Sequence, residues 1–82
     1  MNIDEALQQI ANTGDPSLQD LAQRAYDLKT ALANGQISKS EYQEMIMDLV
    51  HEKNINESIS DLEMKEYINS TVTALITLAS LY

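Results

Sequence analysis

Apolar residues recur along this chain at helical spacing, and the polar residues between the runs fall where helices begin and end. Ile3, Ala6, Leu7, Ile10 and Ala11 stand at i, i+3, i+4, i+7 and i+8, which places them on one face of an α-helix. Asn2 precedes them as a cap, with Glu5 three residues on as the partner of a capping box. Gly14 follows and can take the left-handed conformation that closes a helix. The pattern predicts a first helix over 3–11. Asp15-Pro16 then opens a second, over 16–33: Asp caps well, and Pro suits the first helical position, where its missing N–H has no partner to lose. Leu18, Leu21, Ala22, Ala25, Leu28 and Leu32 line one face of this helix, and Asn34-Gly35 stops it.

Ser38-Lys39-Ser40-Glu41 has the form of a capping box, flanked by Ile37 and Tyr42 at the positions of a hydrophobic staple. It predicts a third helix over 39–53 whose apolar face is Tyr42, Met45, Ile46, Leu49 and Val50. The connection from Asn34 to Ser38 is short enough to require an antiparallel hairpin around Gly35. Beyond 53 the signals weaken. Asn54-Ile55-Asn56 contains neither Gly nor Pro, so the third helix either runs on or kinks. Ser60-Asp61-Leu62-Glu63 reads as another capping box, with Ile59 and Met64 as its staple, and predicts a last helix over 60–80. Its inner face would be Ile68, Val72, Leu75, Ile76 and Ala79. The run Thr71–Leu78 is β-branched and partly alternating, but there is no second strand candidate with which it could pair. The expectation is an all-α fold: a small bundle of three to four helices forming a single domain over 1–82.

Composition narrows the chemistry. The 82 residues include no Cys, Trp or Phe, and one His. There is thus no disulfide framework, no thiol nucleophile and no Cys-ligated metal. Hydrophobic residues make up 44% of the chain, an ordinary globular fraction. Five Lys and Arg against thirteen Asp and Glu give a net charge of -8, which argues against direct binding to a phosphate backbone. The acidic N-terminus lacks the features of a signal peptide. The longest uncharged stretch, Tyr67–Tyr82, is shorter than a bilayer span and contains Asn, Ser and Thr. The Met1 start and these absences point to a complete small cytoplasmic protein.

No constellation carries catalysis. Asp48 and His51 stand at i, i+3 on a helix, which is half of a carboxylate-histidine metal site, but the partner His that such a bundle site needs does not exist. Gly-rich phosphate loops, calcium loops and nucleophile elbows are absent. Asn56-Glu57-Ser58 and Asn69-Ser70-Thr71 match the glycosylation sequon by chance, given the lack of a secretory signal. We therefore expect a non-enzymatic protein without metal or cofactor. Two surfaces stand out instead. Between Glu41 and Glu66 there are eight acids and two bases, and Glu41, Glu44, Asp48 and Glu52 form a stripe down the third helix. The stripe is either a solubilising face or a docking face for a basic partner segment. Residues 68–82 carry no charge and place apolar residues on more than one helical face. Either this helix is central to the fold, or Leu75, Leu78, Leu81 and Tyr82 contribute to self-association or partner binding.

Two resemblances bear on this. Leu28–Tyr42, with Gly35-Gln36-Ile37-Ser38, then Glu41-Tyr42 and Leu49, resembles the short helical hairpin module called SHOCT over about a quarter of the chain. In length, start and general character the whole chain is similar to the rIII lysis-inhibition accessory proteins of T-even phages, chiefly over Met1–Ile10 and Leu28–Met45. That second resemblance implies a small cytoplasmic antiholin that binds the cytosolic N-terminal segment of the phage holin and helps delay lysis; it assigns no residue roles. The alternative expectation is an acidic inhibitor that mimics nucleic acid or blocks a host defence or transcription factor. A third is a module that only forms a homo-oligomer.

Overall fold

Local signals place the helices. The computed structural model describes residues 2–82, apart from the side chain of Asn56; Met1 and that side chain, on which parts of the phage resemblance and of the first sequon fall, lie outside the described residues. The chain forms α1 (Ile3–Ala11), α2 (Pro16–Ala33), α3 (Lys39–Lys53), a single turn α4 (Ile55–Ser58), α5 (Leu62–Leu78) and a 3₁₀ turn (Ala79–Leu81). The fold is all-α, a bundle of four principal helices, with no strand among the described residues.

The turn chemistry explains the breaks. Asn2 Oδ1 accepts from the Glu5 N–H at 3.2 Å, and Asp15 Oδ1 from the Ser17 N–H at 2.9 Å. Gly35, at φ +72°, closes α2 in a Schellman motif: its N–H donates to Leu32 O at 3.1 Å, and the Gln36 N–H donates to Ala31 O at 2.9 Å. At Ser38 both halves of the capping box form, each at 3.1 Å. Asn54 resolves the ambiguity at the end of α3. It adopts φ +55°, ψ +45°, a left-handed conformation that Asn tolerates because its short polar side chain bonds locally. The helix therefore stops at Lys53, and a separate turn follows.

Two boundaries differ from expectation. The last helix is capped by Asp61 and not by Ser60: Asp61 Oδ1 accepts from the N–H groups of Glu63 at 2.9 Å and Met64 at 3.3 Å. One carboxylate oxygen satisfies two unpaired donors and lies favourably at the positive end of the helix dipole. At the other end, the α-helix gives way at Leu78 to the 3₁₀ turn, where the Ala79 N–H turns to the carbonyls of Ile76 and Thr77.

Cross-helix contacts give the topology. Lys29 Nζ meets Asp4 at 2.6 Å, Lys53 Nζ meets Asp20 at 2.6 Å, and Arg24 meets Glu52 at 2.8 Å. The first two pairs join the early part of one helix to the late part of its neighbour in α1–α2 and α2–α3, so each pair of helices is antiparallel. The Tyr67 hydroxyl donates to Gln9 at 2.8 Å, and the Tyr42 hydroxyl donates to Leu75 O at 2.7 Å. These bonds set α5 antiparallel to both α1 and α3. The bundle is up-down-up-down, with α5 opposite α2 and packed on α1 and α3. Its Cα radius of gyration, 12.0 Å, matches the value of about 12 Å for a compact chain of this length.

One core forms between the helices, from Leu7 and Ile10 through Leu21, Ala25 and Leu32 to Tyr42, Ile46, Ile68 and Leu75. The inner face of α5 is rotated from the expected one. Ile68, Thr71, Leu75 and Ala79 are buried, while Val72 and Ile76 lie half-buried on its flanks. Thr71 can enter the core because its hydroxyl donates to Tyr67 O at 2.9 Å, one turn back. Among the described residues no buried side-chain polar atom lacks a partner.

Candidate protein-binding surface

The α2–α3 hairpin presents the acidic stripe. Glu41, Glu44, Asp48 and Glu52 are all exposed and follow one another at helical spacing on α3. They are not equivalent. Glu41 Oε1 accepts from the Ser38 N–H and is occupied by its own helix terminus. Glu52 is paired with Arg24, whose Nε also meets Asp20 at 3.2 Å. Lys53 completes this chain of charges on the far side of Asp20. The hydrogen bond from Lys53, aided by Arg24 and opposed by partial desolvation, holds the Asp20 carboxyl below the usual carboxylate range. Glu44 and Asp48 form no ion pair among the described residues.

Beside the stripe the two helices leave an open groove of about 350 Å³. Leu28, Met45 and Leu49 form its apolar floor. Asp27, Asp48 and Glu52 stand on its rim, with Arg24 at one end. Met45 was expected in the core but is 40% exposed, because the face that α3 turns inward is narrower than its apolar content. Tyr42, Ile46 and Leu49 fill that face, and Met45 falls at its edge. Leu28, also expected inside, is half-buried for the same reason on α2. The sequence carried a signal for this groove that periodicity alone did not use. Counting equal distances along the chain from the Gly35 turn places residues 24–28 opposite 42–46, which brings this part of α2 beside the first half of the acidic stripe. The groove between α1 and α2, about 420 Å³, is lined by three glutamines and by Leu7, Ala11, Ala22 and Tyr26, and its single acid, Asp4, is already paired with Lys29.

The C-terminal surface is smaller than expected. Leu75 is 2% exposed and belongs to the core, so it is not available for self-association or partner binding; packing on α1 and α3 consumes that face. Leu78 is half-buried. Leu81, the last residue of the 3₁₀ turn, and Tyr82 after it are 77% and 54% exposed and form the apolar end of the bundle with Leu78. His51 is exposed on α3. Among the described residues no cluster of three or more His, Asp or Glu side chains is placed to hold a metal ion, and no helix is long and apolar enough to cross a membrane. Comparison of the chain with protein-family models, with curated proteins and with solved structures finds no match in any of the three.

Proposed function

We propose that this chain is a non-enzymatic regulator that acts by binding another protein, and that it serves as a cytoplasmic antiholin. In that role it holds the cytosolic segment of a phage holin and delays lysis. The identity of the partner rests on the resemblance to the T-even lysis-inhibition proteins. The observation that supports a protein-binding role is the pair of carboxylates with no ion-pair partner among the described residues, Glu44 and Asp48, of which Asp48 lines the open groove with its apolar floor. Opposite charge on a partner segment would speed and orient docking there. An acidic surface is repelled by anionic lipid, so a location beside the membrane comes through the partner.

Recovery of the holin in a pull-down from phage-infected cells is the expected result. A peptide matching the holin's basic cytosolic end should bind, and binding should fall with salt and with Glu44→Lys or Asp48→Lys. Both positions are exposed, so either substitution should leave stability within about 0.5 kcal/mol of wild type. Equal affinity for wild type and both charge-reversed variants would reduce the stripe to a solvated face. Recovery of a nuclease or polymerase, with DNA or RNA competing for it, would replace the antiholin with an acidic inhibitor that mimics nucleic acid.

A further inference from the structure

The α2–α3 groove joins an apolar floor to a charged rim of one dominant sign. Its floor includes Met45, 40% exposed, whose unbranched thioether side chain can refit itself to a docked surface. Its rim holds Asp27, Asp48 and Glu52 against the single cation Arg24. Arg24 is half-exposed and spans two carboxylates, Glu52 at 2.8 Å and Asp20 at 3.2 Å. From Met45 to Glu52 the groove follows α3 for roughly 10 Å, or two turns.

We propose that this groove binds one amphipathic helix of a partner protein, with a cationic polar face, and that Arg24 occupies at Glu52 the seat of a partner cation until that helix docks. The proposal rests on the protein-binding role above and gives it a place and a ligand chemistry. Two turns of groove accommodate apolar anchors at i, i+3 or i+4, and i+7 of a docked helix. Lys or Arg flanking those anchors meets Asp48 and Asp27, and one displaces Arg24 from Glu52. A helix with an acidic polar face is rejected by like charge along the same rim.

The test uses the whole protein and a synthetic Leu/Lys amphipathic peptide of about 18 residues, long enough to form a helix. The same composition scrambled out of helical register and a Leu/Glu version serve as controls. Fluorescence anisotropy should show binding of the Leu/Lys helix, much weaker binding of the scramble and none of the Leu/Glu peptide. Met45→Glu adds negative charge while spoiling the floor, so it separates groove from stripe. It should weaken binding about tenfold or more, as loss of a central apolar anchor does, whereas attraction by charge alone would make it tighter. Arg24→Gln should tighten binding several-fold by vacating the seat at Glu52. In wild type, the methyl NMR signal of Met45 should shift on titration while that of Met47 stays in place, a readout that needs no variant. Unchanged or tighter binding to Met45→Glu, equal binding of the scramble, or a still Met45 methyl would overturn the groove. Unchanged or weaker binding to Arg24→Gln would overturn the seat. A holin peptide that binds Met45→Glu as well as wild type removes the groove and leaves the antiholin role. A holin peptide that does not bind, beside a Leu/Lys helix that does, removes that partner and leaves the groove.

Discussion

Tyr42 is fully buried, yet its hydroxyl is satisfied: it donates at 2.7 Å to the Leu75 carbonyl. That carbonyl lies where α5 tightens into a 3₁₀ turn and the Ala79 N–H turns away to Ile76 and Thr77. Burial, with the Tyr82 phenol nearby, pushes the Tyr42 hydroxyl up to about 12. In the unfolded chain the same group ionises near its ordinary value of about 10. The unfolded state therefore releases its proton first, and the contribution of Tyr42 to stability, complete below about pH 10, is lost as pH rises toward about 12. The expected loss approaches about 2–3 kcal/mol over that window. Urea melts of wild type and Tyr42→Phe across the alkaline range should converge. The Phe variant should be less stable at neutral pH by about 1–2 kcal/mol, through the orphaned carbonyl, and decline less steeply above pH 10. Parallel decline of the two proteins would assign the alkaline loss to the lysine ion pairs instead.

Single polar side chains decide where each principal helix begins. Ser38→Ala and Asp61→Ala should each cost about 0.5–2 kcal/mol, because each removes the acceptor for unpaired N–H groups of a first turn. Ser60→Ala should stay within about 0.5 kcal/mol of wild type, since the cap of α5 belongs to its neighbour. Chemical denaturation of the three variants checks this; a larger loss at Ser60 than at Asp61 would move the start of the helix back by one residue. Ser38 was legible in the sequence because its box is unambiguous. Asp61 was not, because Ser60 has the Glu three residues on that a capping box needs and Asp61 does not; the hydrogen bonds that Asp61 accepts from the Glu63 and Met64 N–H groups identify the cap.

Across the molecule, α5 locks α1 to α3 on the side opposite α2, and this determines which of its apolar residues remain outside. Leu75→Asp should destabilise the fold by more than about 3 kcal/mol, since it buries an unpaired charge. Leu81→Asp should leave stability unchanged. If the apolar end at Leu78, Leu81 and Tyr82 joins two copies, sedimentation at micromolar concentration should show a dimer in wild type and a monomer in Leu81→Asp. A wild-type monomer under those conditions would leave the C-terminal end as a simple terminus of the bundle.

The order of the principal helices, the hairpin at Gly35 and the all-α class were determined by the sequence itself. Their causes are local: a capping side chain, a glycine at positive φ or a period of 3.6 acts within one turn of chain. The acidic stripe was legible for the same reason, as it lies on a single helix. Three things required the tertiary structure. Met45 and Leu28 lie on a groove because the facing helices leave no room for them inside. Leu75 is core while Leu81 is surface because α1 and α3 cover one and not the other. Among the described residues Glu52 is paired while Asp48 is not, because Arg24, on a different helix, reaches only one of them. Each of these depends on distances between segments remote in sequence, and the periodicity of one helix carries no information about what lies across from it.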